Sequence, residues 1–232
     1  MKIGIVGAGV AGSYSAMLLS QLGHEVVLFD ASLEREKACG GGVTSKALRR
    51  MRWFYERSLP HTEINLMRLV MLDGYTSDLP LTHPIRIFSR RSLDSFLRQW
   101  AIASGAQFRP EGVVRIVCGP SSWSIETSAG VAESDYLIGA DGTNSLVRAR
   151  HMGRYSSEDL SLALGYYVPR AQDTGTLVLQ FQERGFQGYL WSFPRIDHAS
   201  VGIFRWLPEG MCFSPWWVVG ILLHRTAQGR MP

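Results

Sequence analysis

The hydrophobic pattern at the start of the chain changes period twice within thirty residues. Lys2 to Val6 is a short apolar, β-rich run. Ala11 to Leu22 sets Ala16, Leu18, Leu19 and Leu22 at helical spacing before Gly23, and Val26 to Phe29 is a second apolar run that closes on Asp30. Strand, tight turn, helix and strand in that order predict a βαβ unit, which opens a parallel sheet. Thr44 or Ser45 is placed to cap a helix running to about Arg57, with Leu48, Met51 and Tyr55 on one face. The text from Leu66 to Phe88 is less regular and predicts two strands, Leu69 to Leu72 and Ile85 to Phe88. Ser92 to Ser104 is a second good helix, with Leu93, Phe96, Leu97 and Trp100 at i, i+3, i+4 and i+7 before Gly105.

Further strands are expected at Gln107–Arg109, Val113–Val117, Trp123–Thr127 and Tyr136–Ile138. From Leu162 to Phe204 the pattern alternates as in an antiparallel sheet, over Leu177–Phe181, Tyr189–Phe193 and Ser200–Phe204, with turns at Glu183–Gly188 and Arg195–His198. A parallel-type half thus gives way to an antiparallel half at about residue 155. The expected organisation is a first domain over 1–155 carrying an irregular insertion at 60–88, an antiparallel layer over 156–205 and an atypical tail over 206–232.

Composition narrows the class. With 232 residues, 46% hydrophobic and 19% charged, the chain is long and apolar enough for a sizeable core, which excludes disorder as a whole-chain reading. Trp216 to Leu223 is an apolar run far short of the roughly 20 residues of a membrane-spanning helix. Positive charge comes from 21 Arg and 3 Lys, scattered rather than clustered with aromatics, so no nucleic-acid surface is expected. Cys39, Cys118 and Cys212 cannot all pair and show no zinc spacing, which fits a reducing compartment. The N-terminal apolar run is broken at once by glycine and lacks a signal-peptide pattern, so the expected location is cytoplasmic, with Met1 beginning the mature protein.

Gly7-Ala8-Gly9-Val10-Ala11-Gly12 is GxGxxG between a strand and a helix, and Asp30 stands at the tip of the next strand, 18 residues beyond Gly12. Gly7 permits the tight turn, Gly9 lets backbone approach a pyrophosphate, and Gly12 lets helix and strand pack closely. The helix N-terminus offers N–H donors to phosphate, and the Asp30 carboxylate can accept ribose hydroxyls. The alternative is a glycine-rich turn without a ligand, and the string alone does not separate NAD from FAD. Further on, Asp135-Tyr-Leu-Ile-Gly-Ala-Asp141-Gly142-Thr-Asn-Ser145-Leu-Val-Arg148 ends an apolar strand in a carboxylate on a glycine turn, with Ser145 and Arg148 where a helix would begin.

That string resembles the Asp-Gly fingerprint, DGxxSxxR, of FAD-dependent hydroxylases and their reductase relatives, and it shifts the reading from NAD to FAD. By this resemblance Asp141 accepts from ribose-type hydroxyls beside Gly142, Ser145 caps the helix, and Arg148 holds the turn or reaches phosphate. The competing explanation is a capped helix after a buried strand. Arg90-Arg91-Ser92-Leu93-Asp94 resembles the superfamily's RxxFD element with Leu93 for Phe, which makes Arg90 a candidate cofactor contact against the alternative of a solvated arginine. The backbone near Val113 and Val114 would flank the adenine on the same grounds.

Two elements narrow the branch. Cys39-Gly40-Gly41-Gly42-Val43-Thr44 resembles the CGGG loop of the geranylgeranyl reductase family, in which glycines run against the flavin ring with the cysteine nearby; the alternative is a flexible loop with a buried small cysteine. Tyr189-Leu-Trp191-Ser-Phe193-Pro194 resembles the YxWxFP element of that family. Side chains two apart on a strand share a face, so Tyr189, Trp191 and Phe193 would form an apolar wall for a long hydrocarbon, unless that face is simply core. Flavin-dependent halogenases carry a similar WxWxIP element.

The resemblance covers Met1 to about Phe204. It implies an α/β, Rossmann-like FAD-binding domain of the hydroxylase-like fold with an antiparallel substrate layer, and reduction of an isoprenoid C=C bond by hydride from reduced flavin. The electron donor would be NAD(P)H or ferredoxin, and no residue stands out as the proton donor. A flavin monooxygenase or halogenase, and an inactive flavoprotein fragment, remain as alternatives. From Trp206 onward nothing resembles the family's third FAD element, a GDAAG-like strand and helix, so the fold is expected to be incomplete through truncation or a frame shift. A membrane-edge role for Trp216 to Leu223 is a further open expectation.

Overall fold

The computed structural model of the chain describes residues 1–32, 36–51, 59–169, 175–181 and 187–206. In chain order the elements are β1 (Lys2–Val6), α1 (Val10–Gln21), β2 (Glu25–Phe29), β3 (Gly42–Val43), α2 (Ser45–Arg50), β4 (Thr62–Val70), β5 (Thr76–Ile87), α3 (Arg90–Ala103), β6 (Gln107–Arg109) and β7 (Val113–Cys118). They continue with β8 (Trp123–Thr127), β9 (Gly130–Ser134), β10 (Tyr136–Gly139), α4 (Leu146–His151), β11 (Ser161–Pro169), β12 (Thr176–Phe181), β13 (Gly188–Pro194) and β14 (His198–Trp206). The chain divides into two compact units, one of Met1–Glu36 with Arg90–Tyr155 and the other of Lys37–Ser89 with the chain from Ser156 on. Among the described residues no helix is long and apolar enough to cross a membrane.

The first unit is built on a parallel sheet in the order β10-β1-β2-β6. Its central strands β1 and β2 are apolar and buried on both faces, as strands covered on both sides require. Val27 and Phe29 of β2 pack with Ile125 of β8, joined by Val113, Ala132 and Leu137, so the antiparallel β7-β8-β9 sheet covers that face. On alternate positions Ile3, Ile5, Val26 and Leu28 are buried toward the other face, where α1 and α3 pack side by side with Ala16, Met17, Leu93, Leu97 and Ala101 inside. The amphipathic spacing of α3 thus does what its sequence predicts. The chain runs β1 to β2 to β6 on one side of β1 and then returns to β10 on its other side, which creates a topological switch point at the carboxyl ends of β1 and β10.

The second unit is one seven-stranded sheet in the order β11-β14-β13-β12-β4-β5-β3. It is antiparallel except between β12 and β4, which run parallel. Ile64, Ile87 and Leu177 form a buried cluster with Met67, Leu81, Ile85, Leu179 and Phe193 against it.

This sheet corrects the reading of 60–88 as an irregular insertion in the first domain. The segment is a long hairpin whose strands are Thr62–Val70 and Thr76–Ile87, and Leu72 lies in its turn rather than in a strand. Pro80 and Pro84 obscure β5 in the sequence. They are tolerated because β3 pairs with β5 only at Arg86 and Ile87, which leaves the rest of that edge without a ladder among the described residues. Helix α2 begins, as expected, with Thr44 accepting from the Ala47 N–H, but it ends at Arg50 with Met51 as its C-cap. Residues 52–58, the 183–186 part of the predicted turn, and the tail beyond Trp206 with its Trp216–Leu223 run lie outside the described residues.

Candidate functional site

At the carboxyl end of β1 the two glycine motifs of the first unit meet. Gly7 has φ +98°, in the left-handed region, and its N–H donates to the Phe29 carbonyl at 2.8 Å. A Cβ on Gly7 would strike the Ala140 carbonyl and come within 2.8 Å of the Asp141 Cα. A Cβ on Gly12 would strike the Gly7 carbonyl oxygen and lie 3.2 Å from the Ala140 Cβ. Each of these glycines is therefore required by close approach of backbone to backbone, and together they bring the 7–12 turn against the 140–142 turn.

Gly9 is the N-cap of helix α1 and carries no side chain to cap it, and the first turn of the helix contains no acidic residue. Among the described residues no side chain caps the leading N–H groups of this 12-residue helix, so they keep their donors for an anion. Asp30 stands alongside, its Oδ2 accepting from the Ala8 N–H at 2.8 Å and its Oδ1 from the Ser32 N–H at 2.7 Å. A carboxylate offers about four lone-pair sites, so about two remain for hydroxyls. Donors on a helix end beside an acceptor on the next strand fit the pyrophosphate and ribose of a dinucleotide's ADP half.

Next to Asp30, the Arg109 carbonyl accepts from the Asp30 N–H at 3.2 Å, and the Arg109 guanidinium lies 5.4 Å from the Phe29 ring centroid. Glu111 takes a hydrogen bond from the Thr127 hydroxyl and another from Arg109, and these hold its carboxyl below the usual carboxylate range. Val114 is the extra residue of a β-bulge between Val113 and Arg115, and its side chain is exposed.

Asp141 is placed differently from the expectation that it faces ribose hydroxyls. Its Oδ1 accepts from the Ser145 hydroxyl at 2.5 Å, and its Oδ2 accepts from the Leu146 and Val147 N–H groups at 2.7 and 3.3 Å. The carboxylate satisfies the start of α4, with Ser145 adding a cap through the Arg148 N–H at 2.9 Å. Arg148 closes this turn by donating to the Gly153 carbonyl and lying 3.5 Å from the Tyr155 ring centroid. Gly142, with φ +82° and open space where a Cβ would stand, is the member of this turn whose backbone is accessible.

Arg90, expected to touch the cofactor, forms a two-pronged ion pair with Asp94 at 3.0 and 3.1 Å. The i, i+4 spacing of the element is that of an ion pair along one helix face. Sequence reasoning missed Glu36, whose two carboxylate oxygens accept from the Arg90 and Arg91 N–H groups at the start of α3. No local signal marks it, because Glu36 lies 54 residues from Arg90.

In the second unit the Cys39–Gly42 loop and the YxWxFP strand pack on each other. A Cβ on Gly40 would lie 2.6 to 2.7 Å from three atoms of the Phe193 ring. Gly41 has φ +83°, a Cβ there would strike the Phe88 carbonyl, and its own carbonyl accepts from the Phe88 N–H at 3.0 Å. Close approach by the protein itself thus accounts for Gly40 and Gly41, which the sequence reading assigned to a flat ligand. Gly42 is exposed, a Cβ there would make only ordinary contacts, and its backbone pairs with Ile87 at the end of the sheet, so of the three glycines its Cα is the one that internal packing leaves open. The Cys39 thiol is half-buried and accepts from the Gly41 N–H at 3.4 Å.

Tyr189, Trp191 and Phe193 do share a face, but the wall they form is not bare. Trp191 is 5% exposed, fills the space that a side chain at Gly202 would need and reaches Gly165, and approaches the Ser200 hydroxyl through its Nε1 at 3.5 Å. Tyr189 stacks on Phe204 with centroids 5.2 Å apart. The expected open wall is therefore partly core: Trp191 is internal, and only Tyr189 and Phe193 keep partial exposure.

The NAD(P)-binding Rossmann-like domain family matches residues 5–62. Geranylgeranyl diphosphate reductase of Synechocystis sp. is 27% identical over 235 residues, covering 87% of this chain and 54% of that protein. Menaquinone reductase of Mycolicibacterium smegmatis is 31% identical over 222 residues, covering 86% and 53%. The chain spans about half the length of the curated relatives it matches. Among solved structures, a geranylgeranyl bacteriochlorophyll reductase-like protein of Thermoplasma acidophilum superposes with a TM-score of 0.80 at 16% identity, covering 99% of this chain and 62% of that one. The halogenase PltM in complex with phloroglucinol and FAD superposes with a TM-score of 0.77 at 17% identity, covering 99% and 57%. These two likenesses establish a fold common to reductase-like and halogenase proteins.

Proposed function

We propose that the chain is a member of the geranylgeranyl reductase family of FAD-dependent oxidoreductases, and that it binds FAD and reduces a C=C bond of an isoprenoid or similarly apolar substrate, a reading supported by its likeness to reductases of that kind. The observation that carries the cofactor is the meeting of the Gly7–Gly12 and Ala140–Gly142 turns at the switch point, beside an uncapped helix and a carboxylate with spare acceptor sites. Gly9, Ala11 and Gly12 present the α1 N–H groups to the pyrophosphate. Asp30 takes the ribose hydroxyls, the Val114 bulge flanks the adenine, and the Gly142 backbone lies along the dinucleotide. Arg90 and Asp141 act by fixing α3 and α4 rather than by touching the cofactor. Gly42 is the backbone edge that meets the ring system, and Cys39 stands next to it in the same loop.

When bound, the flavin supplies hydride chemistry, and the proton comes from water or an acid. Tyr189 and Phe193 give the apolar surface that receives the alkene and excludes water, with Trp191 as their internal support. Relatives named for geranylgeranyl diphosphate and menaquinone support a long hydrocarbon substrate.

The test is direct. The purified chain, freed of loose flavin, is expected to show a bound-flavin absorbance spectrum at about one flavin per chain. Anaerobic photoreduction followed by geranylgeranyl diphosphate should reoxidise the flavin and yield a product with one H2 added per bond reduced. Chain without bound flavin would sink the cofactor reading. Reoxidation by oxygen with halide or hydroxyl transfer, and none by the alkene, would replace the reductase with a halogenase or monooxygenase. Supplying NAD(P)H or reduced ferredoxin in turn identifies the electron donor.

A further inference from the structure

Arg195 follows the YxWxFP strand directly and is 3% exposed, the most enclosed cation among the described residues. Placing a guanidinium away from water is expensive unless its protons are well satisfied. Here it continues the alternation of Tyr189, Trp191 and Phe193 onto the face over which the Cys39 loop runs. Its Nη2 donates to the Cys39 carbonyl at 3.0 Å, and its guanidinium carbon lies 5.2 Å from the Tyr167 ring centroid. Its Nη1 approaches His198 Nε2 at 3.5 Å. His198 Nδ1 lies 2.6 Å from Asp197 Oδ1, and with the imidazole neutral this sets the proton on Nδ1 and leaves Nε2 as an acceptor for Arg195.

Other bonds converge on the same stretch of backbone. The Ser200 hydroxyl lies 3.4 Å from the Cys39 carbonyl, and the Tyr167 hydroxyl donates to the Lys37 carbonyl at 3.3 Å. Tyr167 also meets His198 edge to face, with centroids 5.3 Å apart. Three side chains from β11, the β13–β14 turn and β14 thus hold two nearby carbonyls, those of Lys37 and Cys39, and one of these side chains is a buried cation. Packing alone does not call for an arginine here, because the loop already rests on Phe193 through Gly40 and on Phe88 through Gly41.

We propose that Arg195 is the positioning residue of the Cys39–Gly42 loop. Its grip on the Cys39 carbonyl, braced by Tyr167 and Ser200, fixes the direction of the Cys39 thiol and of the Gly42 backbone. Through them it sets the loop against the flavin, which is the part that rests on the function proposed above. Arginine suits the task because one planar group can donate to a carbonyl and an imidazole while stacking on an aromatic face, and lysine can do only part of this.

The thiol reports the loop directly. In a background with Cys118→Ser and Cys212→Ser, the rate of Cys39 modification by iodoacetamide is measured for the otherwise unchanged chain, Arg195→Met, Arg195→Lys and Leu190→Val. Leu190 is buried on the opposite face of β13 and serves as a control for general loosening. Losing a charge-assisted bond to the loop should accelerate modification about tenfold in Arg195→Met, with Arg195→Lys in between and Leu190→Val unchanged. If Arg195→Met does not fold, Arg195→Lys and Ser200→Ala carry the same comparison.

Equal rates in wild type and the arginine variants overturn the proposal, and so does an equal acceleration in Leu190→Val. Flavin spectra of the same proteins separate the two readings. Absence of bound flavin in wild type sinks the cofactor reading and leaves the thiol rates to judge the clamp. An unmoved thiol rate in a flavin-loaded protein sinks the clamp alone. With both readings right, the bound-flavin spectrum of Arg195→Met differs from wild type and Arg195→Lys restores it in part.

Discussion

An alanine at position 40 would bring its Cβ to 2.6 Å from Phe193 Cδ1 and 2.7 Å from both neighbouring ring carbons, whereas ordinary contact begins near 3.4 Å. Near-equal distances to three consecutive ring atoms place that Cβ over the ring rather than beyond its rim. Rotating the ring about its own axis therefore does not clear it, and either the loop or the ring must retreat by about 0.8 Å, the difference between 3.4 and 2.6 Å. Phe193 is backed by the cluster of Ile64, Ile87 and Leu177, and the loop is pinned by the Gly41–Phe88 backbone bond, so neither yields freely.

Overpacking of this kind costs about 1–3 kcal/mol, and about 2 kcal/mol in a domain of this size lowers the melting temperature by about 4–8 °C. The assay is a double-mutant cycle of Gly40→Ala with Phe193→Leu, followed by thermal and urea unfolding. The smaller side chain removes the obstruction, so the penalty of Gly40→Ala in the Phe193→Leu background should fall by about 1–2 kcal/mol. Additivity of the two changes to within about 0.5 kcal/mol would refute the reasoning, as would a Gly40→Ala protein that unfolds like wild type.

Gly12→Ala forces α1 away from the Gly7 carbonyl, and should abolish flavin binding and cost about 3 kcal/mol or more, whereas Gly112→Ala, whose Cβ would rest 3.4 Å from Ala31, should leave stability and flavin titration near wild type. Asp141→Ala removes three hydrogen bonds from the start of α4, and urea unfolding should show a loss of about 1–2 kcal/mol with the denaturant slope unchanged. Glu111 is held below its ordinary value of 4.5 in the folded protein, so its contribution is present above that value and is lost as pH falls through the lowered one. Glu111→Gln should therefore lower the melting temperature at neutral pH, and the gap to wild type should close as the acid limb is descended; a constant gap at every pH would contradict this.

The parts of the fold that were legible in the sequence are those with local causes. Strand β1, helix α1 and strand β2 follow from apolar spacing and punctuation by Gly7, Gly12 and Gly23, and α3 follows from its heptad-like stripe. The hairpin β4–β5 was not legible, because Pro80 and Pro84 argue against a strand unless its outer edge is known to be unpaired. The parallel pairing of β12 with β4 has no signature at all, since register between distant strands is decided by tertiary contact. In the site, the string of residues was readable but the jobs of its members were not. Asp141 and a ribose carboxylate look the same in one dimension, and only the positions of the Ser145, Leu146 and Val147 donors show that α4 occupies it. Likewise the three glycines after Cys39 announce close approach, but what approaches two of them is Phe193 and Phe88.

The pairing of β12 with β4 also has a consequence for how the protein is made. Strand β4 leaves the ribosome roughly a hundred residues ahead of β12, and everything from α3 to α4 is synthesised in between. At about 5–20 residues per second, β4 waits on the order of 5–20 s with one edge open, long enough for the intervening unit to complete its own sheet first. A waiting edge invites pairing with another nascent chain. The hairpin carries charged cross-strand pairs, Arg68 with Asp78 and Arg86 with Glu63, and charged side chains of this kind disfavour such pairing.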